Sequence, residues 1–161
     1  MSEPTVIIVM GVAGCGKTTI GKRLADRLGA AFEEGDAYHD AANVEKMRAG
    51  TPLSDADRAP WLARLSAMID DRLAEGRRTV LACSALKAAY RDVLIGERDG
   101  VALVHLTGDE TLIRSRLEAR HNHYMPPTLL TSQLATLEPP KRGFAVAIDA
   151  IPDAIVSEIE R

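Results

Sequence analysis

Short apolar runs and stretches of helical periodicity alternate along this chain. Apolar, largely β-branched residues cluster at 5–10, 30–33, 79–83, 101–106 and 144–148, which predicts five short strands. Between the runs, apolar residues recur at the spacing of a helix face, as with Ile20, Leu24 and Leu28 after the first strand. Strands that alternate with helices predict an α/β fold, in which a five-stranded parallel sheet carries helices on both faces.

Further helices are predicted over 61–73, 86–95, 109–120 and 127–136, with a last one from Pro152. Ser54 or Asp55 is expected to cap the first of these, and Pro60 is expected in its first turn. Proline pairs at 126–127 and 139–140 bracket a segment that we expect outside the sheet core. We see no repeat or linker, so the pattern favours a single domain.

The segment between the first strand and the first helix matches the phosphate-binding loop G-x-x-x-x-G-K-[ST] at every specified position. Glycines let the backbone turn its N–H groups toward phosphate oxygens, and the helix N-terminus adds partial positive charge. The lysine neutralises the β- and γ-phosphates, and the hydroxyl that follows it ligates Mg²⁺. The predicted ATP-binding residues are Gly11, Val12, Ala13, Gly14, Cys15, Gly16, Lys17, Thr18 and Thr19, with Thr18 as the metal ligand.

Composition narrows the partners that we expect. A net charge of −3 and an aromatic content of 4% argue against a general nucleic-acid binder and a base-stacking surface. No apolar run approaches the length of a membrane span, and the N-terminus lacks the basic region of a signal peptide. Cys15 and Cys83 have no metal-ligand spacing, so we expect reduced thiols and a cytoplasmic protein.

Acidic residues follow the second predicted strand. Ligands gather at the carboxyl ends of parallel strands, which places Glu34 and Asp36 beside the phosphate loop. Asp36 is positioned to accept a proton from a substrate hydroxyl during phosphoryl transfer, and either acid is positioned to hold a magnesium water. The alternative is that both acids are solvated and cap the following helix.

Cations follow in two further segments. Lys46, Arg48 and Arg58 either bind an anionic substrate or form a charged helix face paired with nearby acids. The strand at 79–83 ends without the carboxylate that many P-loop ATPases and GTPases place at a neighbouring strand end. Its polar tip is Ser84, followed by Lys87 and Arg91. This tip suits an oxygen-rich anionic substrate, or else is an ordinary capped helix with exposed cations.

Two arginines share a face of the 109–120 helix. Arg116 and Arg120 lie four residues apart and are placed to offset the charge that develops on a transferring phosphoryl group. His121 and His123 follow in a segment that we interpret as a lid or, alternatively, as a plain surface loop.

Together these segments resemble the gluconokinases, small P-loop kinases related to shikimate and nucleoside monophosphate kinases. The resemblance rests on the phosphate loop and on several later runs, in the same order over nearly the whole chain. These runs are 35–39, 43–47 followed by 50–53, 55–62, 83–87 with 90–91, and 123–126 with 129–138. The run at 55–62, DADRAPWL, is the most distinctive. Asp40, where the family usually has proline, and residues 122–124, where it usually has Gly-His-Phe, are departures.

The resemblance implies ATP-dependent phosphorylation of D-gluconate to 6-phosphogluconate, which feeds the pentose phosphate or Entner–Doudoroff pathway. It also implies Mg²⁺, one P-loop kinase domain over residues 1–161, a lid at about 121–140 and a homodimer. Lys17, Asp36, Arg116 and Arg120 are the expected catalytic residues. Candidates to bind gluconate are Asp36, His39, Lys46, Arg48, Arg58, Ser84, Lys87 and Arg91.

Overall fold

Five parallel strands form one sheet in the computed structural model, which describes residues 3–12, 14–118, 128–141 and 143–148. The strands are β1 (Val6–Met10), β2 (Ala31–Glu34), β3 (Thr79–Ala82), β4 (Val101–Thr107) and β5 (Phe144–Ala147). Their order across the sheet is β2-β3-β1-β4-β5, and each neighbouring pair is parallel. The five predicted strands are therefore confirmed, each within about one residue at either end.

Six α-helices connect or follow these strands within the described residues. They are α1 (Lys17–Leu28), α2 (Ala41–Arg48), α3 (Asp55–Glu75), α4 (Ala88–Leu94), α5 (Glu110–Glu118) and α6 (Thr128–Thr136). A short 3-10 helix, Gly35–Tyr38, directly follows β2. The last predicted helix, from Pro152, lies outside the described residues. No helix in the described ranges is long and apolar enough to cross a lipid bilayer.

The two faces of the sheet carry separate apolar clusters. Ile7 and Val9 of β1 point to one cluster, which packs against α1 through Ile20 and Leu24. Val6, Ile8 and Met10 point to the other, which α3 and α4 cover with Trp61, Leu65, Ile69 and Leu94. Because successive side chains of a strand face opposite ways, a wholly buried β1 requires helices on both faces, as predicted.

Two local features differ from the expectations. Pro60 lies inside α3, one turn later than predicted, because Ser54 caps the helix and Asp57 completes a capping box with it. The periodicity did not set α2 apart, since this helix has only two buried residues, Asn43 and Met47. Asp40, the departure from the family pattern, caps α2: its Oδ1 accepts a hydrogen bond from the Asn43 backbone N–H at 2.8 Å.

Candidate active site

The phosphate loop joins β1 to α1 in the predicted way. Gly16 occupies the N-cap of α1 with φ +94°, a left-handed conformation that favours glycine. At Gly14 (φ +84°), an added Cβ would lie 3.0 Å from the Ile113 carbonyl oxygen, so a side chain there would push the loop off α5. Lys17 Nζ donates to the Val12 carbonyl oxygen at 3.1 Å, which keeps the ammonium over the loop. Ala13 lies outside the described residues.

An acidic corner faces the start of α1. The Thr18 hydroxyl donates to Glu34 Oε2 at 2.5 Å. Burial raises the pKa of Glu34; the Thr18 hydrogen bond opposes that shift, and the charge of Asp36 adds to it. Asp36 enters the corner because Gly35 lets β2 end tightly against β3: a Cβ on Gly35 would lie 2.6 Å from the Ala82 carbonyl oxygen. The two carboxylates therefore share one site beside Lys17.

One cleft collects residues from the carboxyl ends of three strands. The space between its walls is about 850 Å³ when the open mouth is counted. From the predicted site it includes Gly14, Gly16, Lys17, Thr18, Asp36, His39, Arg58 and Ser84. We call the phosphate loop with Thr18 the donor half of the cleft. The acceptor half is Asp36, His39, Arg58 and Ser84.

Arg58 is held in place by its neighbours. Its Nη1 donates to the Leu53 carbonyl oxygen at 2.8 Å and to the Tyr90 hydroxyl at 2.9 Å. The guanidinium also lies over the Tyr90 ring, 5.3 Å from its centroid. The Tyr90 hydroxyl in turn donates to Asp55 Oδ1, and burial together with that bond raises the pKa of Tyr90. Arg58 therefore meets the cleft in a fixed orientation.

His39 stacks on Trp61, with ring centroids 4.3 Å apart and planes 13° from parallel. Trp61 belongs to the core, and only 1% of it is exposed. It also lines the cleft, and its Nε1 donates to the Gly35 carbonyl oxygen at 2.7 Å. A core residue thus links His39 to the turn that carries Asp36.

Four other predicted acceptor residues lie outside the described lining of the cleft, namely Lys46, Arg48, Lys87 and Arg91. Lys46 Nζ pairs with Asp57 at 2.9 Å, and Lys87 Nζ pairs with Asp55 at 3.1 Å. Arg48 is exposed on α2. Lys46 therefore fits the alternative in which the cations of its segment pair with nearby acids, whereas the pairing of Lys87 with Asp55 was not among the expectations for Lys87. Both of these lysines form ion pairs with acids in the first turn of α3.

Arg91 supports the backbone beside Ser84. Its guanidinium donates to the carbonyl oxygens of Ala85 at 2.8 Å, Leu86 at 3.1 Å and Glu138 at 2.8 Å. Ala85 has φ +44°, a conformation that costs energy in a residue with a Cβ. Because its donors are bound to the main chain, Arg91 joins the turn after β3 to the end of α6, and we leave it out of the acceptor half.

Of the two predicted transition-state arginines, the structure describes Arg116, which is not among the described residues that line the cleft. Arg116 Nη2 donates to the Ile148 carbonyl oxygen at 2.9 Å, just after β5. Arg120 lies outside the described residues, as do His121 and His123. The role assigned to this pair stays a prediction.

The cleft also contains residues that sequence reasoning missed. Ser132, Gln133 and Thr136 of α6 line it, and Met47, Thr51, Pro52, Leu53 and Leu86 complete its wall. Polar residues three or four apart on α6 were the available signal, but an exposed polar face looks the same in sequence.

Both cysteines are free and buried, and burial raises the pKa of the Cys83 thiol to about 12.

A parallel sheet of this order, with a phosphate loop after its central strand and a carboxylate beside that loop, defines the class of P-loop kinases. The family described as "AAA domain" matches residues 6–140. The gluconokinase of Gluconobacter oxydans is 46% identical over 162 residues, which cover 99% of this chain and 91% of that protein. The chain belongs to the gluconokinase family.

Solved structures agree with this placement. A gluconokinase from Sinorhizobium meliloti superposes with a TM-score of 0.85 at 42% identity, covering 98% of this chain and 90% of that one. A sugar kinase from Janibacter superposes with a TM-score of 0.91 at 41% identity, covering 97% and 92%. At sequence identities of 41% and 42%, the likeness of both structures to this chain extends beyond the fold to the family.

Proposed function

We propose that this protein transfers the γ-phosphoryl group of ATP to D-gluconate, giving ADP and 6-phosphogluconate. Membership of the gluconokinase family supports the reaction. The observation that carries it structurally is the meeting of Lys17 and Thr18 with Asp36 and Arg58 in a single cleft. A donor loop without an acceptor half would favour simple ATP hydrolysis.

The donor half holds ATP through the backbone N–H groups of residues 12–18 and through Lys17. Mg²⁺ fits the acidic corner, because it prefers oxygen ligands and usually takes one or two carboxylates together with substrate phosphates. The Thr18 hydroxyl and Glu34, 2.5 Å apart, are the residues that would hold it, with Asp36 close by. When bound, the ion neutralises charge on the β- and γ-phosphate oxygens.

The acceptor half orients the sugar acid. Asp36 takes the proton of the 6-hydroxyl while that oxygen forms its bond to the γ-phosphorus and the bond to the ADP oxygen breaks. Positioning and electrostatic stabilisation supply most of the rate in such a transfer. Arg116 and Arg120 remain the proposed cations for the transition state.

Arg58 is the proposed partner of the gluconate carboxylate. Lys46 and Lys87 already pair with acids, whereas the described partners of Arg58 bind Nη1 alone. Its other donors therefore stay available for a carboxylate in the cleft. The homodimer that the resemblance implies and the cytoplasmic location expected from the two cysteines remain predictions.

The function is tested with a panel of acceptors in a coupled assay of ADP release. Gluconate is expected to give the highest kcat/KM, above shikimate, a nucleoside monophosphate and glucose. The product should be a monophosphate at the 6-hydroxyl. ADP release that does not depend on gluconate, or a better turnover of another acceptor, would contradict the proposal.

A further inference from the structure

The His39 ring is held in one plane. It stacks on Trp61 at 4.3 Å, and Trp61 is buried and tied by its Nε1 to the Gly35 carbonyl oxygen. The stack therefore fixes the plane of the ring beside the turn that carries Asp36. The stack does not determine which nitrogen of the His39 ring carries the proton.

The side-chain amide of Asn43 determines which His39 nitrogen is protonated. It is 4% exposed, and its Nδ2 lies 2.9 Å from the Asp57 carbonyl oxygen and 3.2 Å from His39 Nδ1. A carbonyl oxygen only accepts, so the side-chain atom beside it must be the amide nitrogen, and an amide nitrogen only donates. His39 Nδ1 must then accept the second amide hydrogen and carry no proton itself.

The proton consequently sits on Nε2. Hydrogen bonds at the two ring nitrogens point away from each other, and His39 borders the cleft. Within the part of the chain that the structure describes, Nε2 is bonded to no other group. Burial lowers the pKa of His39, which the charge of Asp36 opposes, and this favours the same neutral ring.

We propose that Asn43 is a positioning residue that holds His39 as its Nε2–H tautomer, so that His39 donates a hydrogen bond to a hydroxyl oxygen of the acceptor. The inference rests on the proposed function, since the acceptor is a polyol. It divides the acceptor half into a charged contact, Arg58, for the carboxylate and a neutral donor, His39, for the hydroxyl chain.

The tautomer is tested without any substrate. Nitrogen NMR of the imidazole groups in the full chain at neutral pH should show His39 with a bare Nδ1 and a protonated Nε2; the spectrum of His39→Gln identifies its signals among the four histidines. A proton on Nδ1 would overturn the proposal. In Asn43→Asp, whose carboxylate only accepts, Nδ1 should become protonated, whereas a merely structural role for Asn43 would leave the tautomer unchanged.

The contact itself is tested by kinetics. His39→Asn places its amide near the Nδ1 position and should raise the KM for gluconate by about 3- to 10-fold, the loss of one neutral hydrogen bond. His39→Gln reaches the Nε2 position with an N–H and should recover part of that loss. The KM for ATP should stay constant in both, and Glu45→Gln, exposed on α2, is the matched control.

The outcomes separate the two proposals. If wild-type protein phosphorylates gluconate and both His39 variants keep its KM, the hydroxyl contact is wrong and the proposed function stands. If wild-type protein phosphorylates no gluconate, the proposed function and the contact fall together, whereas the NMR result still decides the tautomer.

Discussion

The donor half and the acceptor half of the cleft are built in different ways. The donor half is one contiguous segment, in which backbone N–H groups and one lysine are the proposed phosphate contacts. The acceptor half collects side chains from the 3-10 helix and its C-cap His39, from α3 and from the turn after β3, at sequence distances of up to about fifty residues. The first kind of site depends on local backbone geometry, and the second depends on how helices pack.

Because the two halves are built differently, substitutions in them should have different effects on the kinetics. In the donor half, few side chains should matter and each should matter greatly, because one cation is proposed to face several phosphate oxygens. In the acceptor half, orientation is shared among partners, such as Tyr90 for Arg58 and Asn43 for His39. Substitutions there should act in graded steps, on gluconate rather than on ATP.

The largest effect is expected at Lys17. Lys17→Ala should lower kcat by at least about a thousandfold, because it removes the cation that faces the transferring phosphoryl group. Circular dichroism should show an intact fold, since Lys17 is partly exposed. Lys22→Ala, an exposed lysine of the same helix, is the control. Near-normal turnover in Lys17→Ala would refute the donor assignment.

The second-largest effect on kcat is expected at Asp36. Asp36→Asn removes the proposed proton acceptor and should lower kcat by about 10²- to 10⁴-fold with little change in the KM for ATP. The comparison variant is Asp26→Asn, an exposed acid on α1, which should behave as wild type. A modest rise in the KM for gluconate alone would assign Asp36 to binding rather than to proton transfer.

Arg58 should affect gluconate binding more than turnover. Arg58→Ala should raise the KM for gluconate by about 10- to 100-fold, the loss of a hydrogen bond to a charged group. Tyr90→Phe should produce a smaller rise, because it frees Arg58 without removing it. Arg77→Ala, exposed beyond the far end of α3, is the control. Unchanged gluconate kinetics would return Arg58 to the role of a surface charge.

The smallest effect is expected at Asp57, on the pH dependence of the protein's stability. The Ser54 backbone N–H and Lys46 hold the pKa of Asp57 down to about 2. A carboxyl with a lower pKa in the folded than in the unfolded state stabilises above the unfolded value, near 4, and loses that effect as the pH falls toward 2. Asp57→Asn should therefore be less stable than wild type at pH 7, with the gap closing between about pH 4 and pH 2 in thermal denaturation. A constant gap would contradict the assignment.

Most of the fold follows from the sequence because its signals are local. Buried parallel strands need continuous apolar runs, and the helix stripes repeat every three or four residues, so the strands were predicted to within about one residue. Pro60 and α2 were the exceptions. A capping box decided where α3 begins, and a helix with two buried residues leaves almost no periodic pattern.

The sequence by itself determined the donor half, because Gly11 to Thr18 specify their conformation and chemistry within eight neighbouring residues. It also named the candidate acceptor residues, but it could not separate those that face the cleft from those that pair with each other. Only the tertiary structure made that distinction. When α3 packs against the sheet, Arg58 and His39 line the cleft. Lys46 and Lys87 instead pair with acids, and Arg91 donates to backbone carbonyl oxygens. The physical reason is that a side chain's partners depend on contacts between elements far apart in sequence, which no local pattern records.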